Sequence, residues 1–358
     1  MTDPVWSRLL PRRQASITIS TMRSTLAYLA GKLAVAGRGP GLKSGLPPAR
    51  MNRLLAVSAV AVALLAAIAP SAAEAYQTKH VVLVIIDGLR YSEGLGDPQH
   101  TLVPRMFELS KQGAIVEPFI NDRYTFTARA IPAIWCGAWT EVHSVSGSGC
   151  SGGAMEYCEL PTVFEYYRKQ LARPPEDCVN ALCDVGSVWR GSLDPNYGPD
   201  YWPLYRSQEV SDIDVWRLSE KLLGADHPSF FLLYLARVDH FAHTASWSYY
   251  TRSIELADSI VGLVWDFIQS DSVYAGTTTM LVTNDHGRHT NDFKTHGDDC
   301  EGCRTVQLLA VGPDIKRGFV SHTPRTICDV TPTIGEILGF TTEKATGSAM
   351  TELLTSPN

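Results

Sequence analysis

Four short, evenly apolar segments set the strongest limit on how this chain can fold. Several are rich in β-branched residues and none alternates with polar residues, which is typical of strands buried on both faces. They lie at His80–Ile86, Phe230–Ala236, Thr278–Thr283 and Val306–Val311. Stretches with helical spacing separate them, at Leu102–Gln112, Pro161–Leu171, Val210–Leu223, Tyr249–Gln269 and Asp329–Leu338. This alternation predicts an α/β fold with a mostly parallel central sheet and helices on both faces.

Two stretches of the chain do not follow this pattern. Val145–Cys158 is rich in Gly and Cys, and Gly191–Pro203 is rich in Pro, Asp, Tyr and Trp. Their composition favours loops or a small insertion.

The first 75 residues differ in character from the rest and are expected to lie outside the folded domain. Met51-Asn52-Arg53 is a short basic region, Leu54 to Ala69 is almost uninterruptedly apolar, and Ala73-Glu74-Ala75 resembles a cleavage site. This order predicts a signal peptide over residues 51–75 and a periplasmic or extracellular protein beginning near Tyr76. A membrane anchor is the alternative, but about 16 apolar residues are short for a span of about 20.

Residues 1–50 show no clear periodicity and are predicted to be a non-structural upstream extension. The remaining segment, residues 76–358, carries 22 basic and 35 acidic residues, a net charge of −13. Such an acidic domain is not expected to have a nucleic-acid binding surface. An anionic substrate would need local positive charge, and bound metal cations can supply it.

All eight cysteines follow the predicted cleavage site: Cys136, Cys150, Cys158, Cys178, Cys183, Cys300, Cys303 and Cys328. An even number in an exported chain favours disulfides. Three pairs are close enough in sequence to close local loops: Cys150/Cys158, Cys178/Cys183 and Cys300/Cys303. Cys300-Glu301-Gly302-Cys303 also has the spacing of half a zinc site, but no second C-x-x-C accompanies it. We therefore expect a Cys300–Cys303 disulfide.

Three aspartates follow three of the predicted strands. Asp87 and Asp285 come directly or almost directly after a strand, and Asp239 lies three residues after another. A single aspartate there is usually a cap or turn residue, but four histidines lie nearby: His240, His243, His286 and His296. Ligand sites of parallel sheets lie at the carboxyl ends of the strands, and mixed Asp/His sets suit zinc.

A candidate nucleophile lies between Tyr124 and Gly137. Thr127 leads into a helical run, where its hydroxyl would lie beside free backbone N–H groups that favour phosphate. Thr125 is a second candidate, and both are equally compatible with a helix N-cap. Pro132 leaves the start of this helix uncertain by a few residues.

These features recur in a specific order along the chain: Asp87-Gly88, Thr127 ten residues before Gly137, His143, Asp239-x-x-x-His243, Glu255-Leu256-Ala257-Asp258, Asp285-His286-Gly287, His296-Gly297 and Asp329-Val330-Thr331-Pro332-Thr333. Their order and spacing resemble the alkaline phosphatase superfamily, and within it the nucleotide pyrophosphatase/phosphodiesterase-like branch. The resemblance runs from His80 to about Leu353. It implies an alkaline phosphatase-like catalytic domain over residues 76–358.

The resemblance also implies two divalent metal ions, normally zinc, and a small-molecule phosphate ester as substrate. It assigns one ion to Asp239, His243 and His296. It assigns the other to Asp87, Asp285 and His286, with Thr127 beside it as the nucleophile. A metal there would lower the pKa of the hydroxyl, so that Thr127 could attack phosphorus and form a phospho-threonine intermediate near neutral pH.

The sequence departs from some relatives. Sulfatases need a cysteine or serine in a C/S-x-P-x-R motif, which is absent here, and Thr127 holds the nucleophile position. Phosphodiesterases of the nucleotide type usually have an Asn about twenty residues after the Thr, where this chain has residues 146–149, Ser-Gly-Ser-Gly. Preference for monoesters or diesters therefore stays open. A phosphotransferase or mutase and a non-catalytic metal-binding protein are the alternatives, and Arg129 is either a phosphate ligand or a surface residue.

Overall fold

A computed structural model of the chain describes residues 76–145, 155–183, 189–208 and 211–357. The predicted signal peptide, the upstream extension and Cys150 lie outside these ranges. No helix in the described ranges is long and apolar enough to cross a membrane.

The described strands are β1 (His80–Ile86), β2 (Ala114–Val116), β3 (Phe119–Ile120), β4 (Val142–Val145), β5 (Met155–Cys158), β6 (Cys178–Cys183), β7 (Trp189–Ser192), β8 (Leu204–Gln208), β9 (Phe230–Leu235), β10 (Thr278–Thr283), β11 (Thr305–Val306), β12 (Leu308–Val311), β13 (Phe319–Ser321) and β14 (Arg325–Thr326). The described helices are α1 (Pro104–Gln112), α2 (Thr127–Cys136), α3 (Val163–Gln170), α4 (Asp212–Asp226), α5 (Arg237–His243), α6 (Trp247–Ser270), α7 (Glu301–Arg304) and α8 (Val330–Leu338).

Strands β1, β9 and β10 form the centre of a sheet with the order β13-β2-β12-β10-β1-β9-β6-β8. β1 pairs in parallel with both β9 and β10, and β6 extends the parallel set to β8. β12 runs antiparallel to both of its neighbours. Every residue of β9 and β10 is buried, as are all residues of β1 except His80. The prediction of a mostly parallel sheet made of fully buried strands is therefore confirmed.

Two groups of helices cover this sheet. α1, α4 and α6 pack on one another and on strands that include β12, β6 and β10. α2, α3 and α8 form the other group, which packs against β1 through α8. The aromatic ring of Phe164 on α3 stacks on that of Phe230 in β9 at a centroid distance of 5.1 Å. The α/β architecture is thus the one predicted from the alternating apolar pattern.

The fourth predicted strand, Val306–Val311, is wrong as a single element. The backbone N–H of Gln307 donates to Asn284 Oδ1 at 2.9 Å, and its carbonyl accepts from Thr283 Oγ1 at 2.8 Å. Because side chains take both backbone groups, the strand is interrupted there. β11 pairs with β3 in a small sheet, whereas β12 joins the central sheet.

Several strands were not predicted from the sequence. β4, β5 and β7 form a separate three-stranded sheet in the region expected to be loops or an insertion. β6 is fully buried and carries Cys178 and Cys183 at its two ends. Five residues of extended strand span about 16 Å, while disulfide-bonded cysteines have Cα atoms about 4.4–6.8 Å apart. A Cys178–Cys183 disulfide, one of the three pairs considered from the sequence, is therefore excluded by the structure.

Candidate metal centre

The carboxyl ends of β1, β9 and β10 lie at one edge of the sheet because these three neighbouring strands are parallel. Asp87 follows β1, Asp285 follows β10, and Asp239 lies in the first turn of α5 after β9. The Asp87-Gly88 turn approaches α5 so closely that a Cβ on Gly88 would lie 2.8 Å from Asp239 Oδ1, and Gly88 has a φ of +66°. Only glycine suits both that contact and that backbone conformation.

Asp87, Thr127, Asp285 and His286 form a first cluster, called here the threonine cluster. Thr127 Oγ1 lies 3.1 Å from His286 Nε2 and 3.3 Å from Asp87 Oδ1. His286 Nε2 lies 3.4 Å from Asp87 Oδ1 and 3.4 Å from Asp285 Oδ2. The carboxylates and the imidazole are buried, so these four polar groups converge in a space with little water.

The hydrogen bonds around the threonine cluster leave acceptor atoms facing one another. His286 Nδ1 lies 2.9 Å from the carbonyl of Gly287, which requires a proton on Nδ1, so that the lone pair of a neutral imidazole would be on Nε2. Asp285 Oδ1 accepts the backbone N–H groups of Gly88 and His286. Asp285 Oδ2 is buried without a hydrogen-bond partner among the described residues. A cation fits between these atoms, since it would satisfy the unpaired oxygen and the lone pair together.

Asp239, His243 and His296 form a second cluster, called here the histidine cluster. His243 Nε2 and His296 Nε2 lie 3.2 Å apart, and each lies 3.3 Å from a carboxylate oxygen of Asp239. His296 Nδ1 donates to the carbonyl of Thr125 at 2.9 Å, so its Nε2 also presents a lone pair. The rings of His286 and His296 stack at a centroid distance of 3.9 Å, which places the two clusters side by side.

Without a bound cation, the surroundings of Asp87, Asp285 and His296 oppose the ionised forms of these three side chains. Burial, followed by the charges of Asp285 and Asp239, holds the pKa of Asp87 well above its usual range. Burial also raises the pKa of Asp285 to about 7. Burial and the charge of His286 lower the pKa of His296 to about 3. A bound divalent cation would favour carboxylates and neutral imidazoles here.

Arg288 was missed by the sequence analysis and is fully buried beside the histidine cluster. Its guanidinium contacts the Asp239 carboxylate and donates to the carbonyls of Gly88, Asp239 and Lys294 at 3.0–3.2 Å. Burial opposes ionisation of Asp239, but the hydrogen bond from His243 and the charge of Arg288 lower the pKa of Asp239 below its usual range. Arg288 therefore holds three chain segments together and keeps Asp239 anionic.

Replacing Arg288 by methionine is expected to destabilise the protein by about 3 kcal/mol or more, since it leaves buried acceptors and a carboxylate unpaired. Urea unfolding of the metal-free protein measures this loss of stability. Arg129→Gln is the control, because Arg129 pairs at the surface with Glu141 at 3.2 Å and should contribute less than about 1 kcal/mol. Equal stability of the two variants would contradict the role assigned to Arg288.

Two further buried side chains orient the threonine cluster. The Tyr234 hydroxyl, on β9, donates to Asp87 Oδ2 and so turns the other oxygen of Asp87 toward Thr127. The Asn121 side-chain amide donates to the carbonyls of Tyr124 and Asp285 at 2.7 and 2.8 Å. One feature of the sequence pointed to such an orienting side chain: Tyr234 carries a hydroxyl within the otherwise apolar β9.

The remaining candidates lie in different surroundings. Thr127 is the first residue of α2 and Phe126 is the N-cap residue, so neither threonine is the cap. Thr125 is buried and donates to the carbonyl of Asp298 at 2.7 Å. Arg129 hydrogen-bonds to Thr140 and Glu141, which favours the surface interpretation of this residue. His240 is exposed.

No protein-family model matches this chain, and no curated protein matches it in sequence. Solved structures do match. Murine ectonucleotide pyrophosphatase/phosphodiesterase 5 is 14% identical with a TM-score of 0.57, over 77% of this chain and 100% of that one. A 2-O GAG sulfatase is 12% identical with a TM-score of 0.59, over 77% and 74% of the two chains. The phosphonate monoester hydrolase of Agrobacterium radiobacter is 12% identical with a TM-score of 0.54, over 77% of both.

At these identities the comparisons establish the fold. They agree with the resemblance drawn from the order of the sequence motifs. The chain has the fold of the alkaline phosphatase superfamily.

Proposed function

We propose that this chain is an exported, metal-dependent hydrolase of phosphoric esters with Thr127 as its nucleophile. The position of the Thr127 hydroxyl carries the proposal: it lies 3.1 Å from His286 Nε2 and 3.3 Å from Asp87 Oδ1. Asp285 Oδ2, 3.4 Å from the same nitrogen, is buried with no hydrogen-bond partner among the described residues. A structural threonine would not need an imidazole and a carboxylate around its hydroxyl.

Two divalent cations, in this proposal zinc, fit the donor sets of the two clusters. In this proposal the threonine cluster would hold one through Asp87, Asp285 and His286, and the histidine cluster the other through Asp239, His243 and His296. Both sets combine nitrogen and carboxylate oxygen, which zinc accepts. When bound, the cations would lower the pKa of the Thr127 hydroxyl and neutralise charge on the phosphoryl group.

The side chains then have distinct tasks. Thr127 Oγ1 gives its proton to solvent and forms a bond to phosphorus, while the bond from phosphorus to the ester oxygen breaks on the opposite side and that oxygen takes up a proton from water. Water then attacks the phospho-threonine and releases phosphate or a phosphate monoester, which restores Thr127. Tyr234 fixes the Asp87 carboxylate through its hydrogen bond, and His286 is fixed by the bond from Nδ1 to Gly287. Asn121 holds the segment before Thr127 against Asp285.

A second solved structure supports the choice of nucleophile. It is described as the murine phosphodiesterase in an inactive threonine-to-alanine form in complex with AMP, and it matches 77% of this chain with a TM-score of 0.55. That description belongs to the murine protein, and we extend a threonine nucleophile to this chain as part of the proposal. Sulfatase activity is disfavoured, although sulfatases share the fold, because Thr127 stands at the nucleophile position.

A substrate panel tests this function. We expect the purified mature protein to hydrolyse para-nitrophenyl phosphate or its bis ester, and to leave para-nitrophenyl sulfate intact. Activity should disappear after chelation and return with added zinc. The ratio of the two phosphate activities also decides between monoesters and diesters. Preference for the sulfate, or activity that is insensitive to chelators, would contradict the proposal.

Export is a separate part of the proposal and rests on residues 51–75. N-terminal sequencing of periplasmic or secreted material should find a first residue at or near Tyr76. Recovery of the chain from the cytosol with Met1 or Met51 intact would contradict export without bearing on the chemistry.

A further inference from the structure

The Cys300-Glu301-Gly302-Cys303 turn lies beside two residues that the catalytic proposal does not use, His289 and Asp298. His289 Nε2 is 3.1 Å from Asp298 Oδ2. Donor atoms of His289, Asp298 and Cys303 all lie within 4.8 Å of one another. Cys300 adjoins this group through a backbone hydrogen bond to the Asp298 carboxylate. We call these four residues the thiol cluster.

The fold provides zinc ligands that could not be recognised from the C-x-x-C spacing alone. A single C-x-x-C offers two of the four ligands that a structural zinc site needs, and the fold brings a nitrogen of His289 and an oxygen of Asp298 within 4.8 Å of the Cys303 thiol. Zinc binds thiolate, imidazole and carboxylate in tetrahedral sites, often with C-x-x-C spacing. We propose that the thiol cluster is a third, structural metal site that binds Zn²⁺, in place of the disulfide favoured by the sequence.

Neighbouring groups orient the proposed ligands. His289 Nδ1 hydrogen-bonds to Thr295 Oγ1 at 2.8 Å, which directs Nε2 at the cluster. The backbone N–H of Cys300 donates to Asp298 Oδ1 at 3.1 Å. These hydrogen bonds fix the geometry of His289 and Asp298 before metal binds.

The thiol cluster also links the two segments that carry His286 and His296. The N–H of Gly287, directly after His286, donates to the carbonyl of Cys303 at 2.8 Å, and that of Arg288 donates to Gly302 at 2.9 Å. The backbones of Gly287 and Gly302 lie so close together that a Cβ on Gly287 would lie 2.0 Å from the Gly302 carbonyl oxygen. On the other side, Gly297 separates His296 from Asp298. A metal here would therefore brace a histidine of each catalytic cluster.

Cobalt substitution of the full mature chain tests the site directly. Only a thiolate ligand gives a near-ultraviolet charge-transfer band with Co²⁺, and the threonine and histidine clusters contain no cysteine. We expect this band in the wild-type protein and about three metal equivalents per chain. Cys303→Ser should lose the band and about one equivalent. His289→Gln should weaken binding of that equivalent by about tenfold to a hundredfold.

Asp299→Asn is the matched control for Asp298→Asn, because it changes the same charge at the adjacent, exposed position. Only Asp298→Asn should weaken the thiolate-bound metal. A Cys300–Cys303 disulfide in freshly purified protein, or a wild-type protein without the charge-transfer band, would overturn the inference. Ester hydrolysis with about two metal equivalents and no band would refute the third site and leave the proposed function standing.

Discussion

Replacing Thr127 by alanine is expected to lower turnover of phosphate esters by several orders of magnitude and to leave metal binding intact. The hydroxyl of Thr127 makes the contacts to Asp87 and His286, and its loss removes the nucleophile and the phospho-threonine together. The proposed ligands Asp87, Asp285 and His286 stay in place, because other hydrogen bonds hold them. Turnover, metal content and unfolding free energy measured on one preparation separate these effects.

Thr127→Ser and Thr125→Ala are the controls for that experiment. Serine keeps a hydroxyl at the same atom and should retain measurable turnover. Thr125→Ala removes one buried hydrogen bond, to the Asp298 carbonyl at 2.7 Å, and should cost about 1 kcal/mol of stability with nearly unchanged turnover. Near-normal turnover in a folded, metal-loaded Thr127→Ala protein would refute the mechanism.

The central sheet could be predicted because its strands are apolar on both faces. β1 was placed at His80–Ile86, as the structure has it, since an uninterrupted apolar run ends at an aspartate. The break at Gln307 could not be predicted in the same way. It depends on the side chains of Thr283 and Asn284, which reach Gln307 only after β10 and β12 have paired.

Some residues of the candidate site could also be predicted from the sequence, and others could not. Asp87, Asp285 and His286 could be placed together because parallel strands end at one edge of the sheet. Arg288 and Tyr234 could not, because each acts through contacts with segments far away in sequence. Tyr234 meets Asp87 across 147 residues, and Arg288 meets Gly88 across 200. A buried polar side chain is recognised only when its distant partner is known.

The cysteines show most clearly that closeness in sequence does not predict which side chains meet in the folded chain. Cys178 and Cys183 are close in sequence, but the strand between them holds them apart. Cys136 and Cys158 are far apart in sequence, yet the Cys136 thiol donates to the carbonyl of Leu160, two residues after Cys158, at 3.3 Å. The Cys300–Cys303 disulfide remains a prediction from spacing, against which the proposed third metal site stands.

Removing the metals is expected to abolish turnover and to make the stability of the protein fall as pH rises. The pKa of Asp285 is raised by burial from 3.8 to about 7, so between these values the metal-free folded state holds a proton that the unfolded state has lost. The stability that this proton confers is therefore full below about pH 4 and is lost as pH rises through about 7. Asp285 alone accounts for up to about 4 kcal/mol of this change, and Asp87, whose pKa is raised as well, adds to it.

Urea unfolding at about pH 5 and about pH 8 measures this effect, with a chelator in one series and zinc in the other. Chelated protein should be clearly less stable at the higher pH. Zinc-loaded protein should lose this dependence or reverse it, because a bound cation favours the ionised carboxylates and competes with protons for them. Asp285→Asn should make the profile of the chelated protein less steep, since an amide at this position has no proton to lose. A chelated wild-type protein that is equally stable at both values would show that no cation is needed to keep these buried carboxylates together.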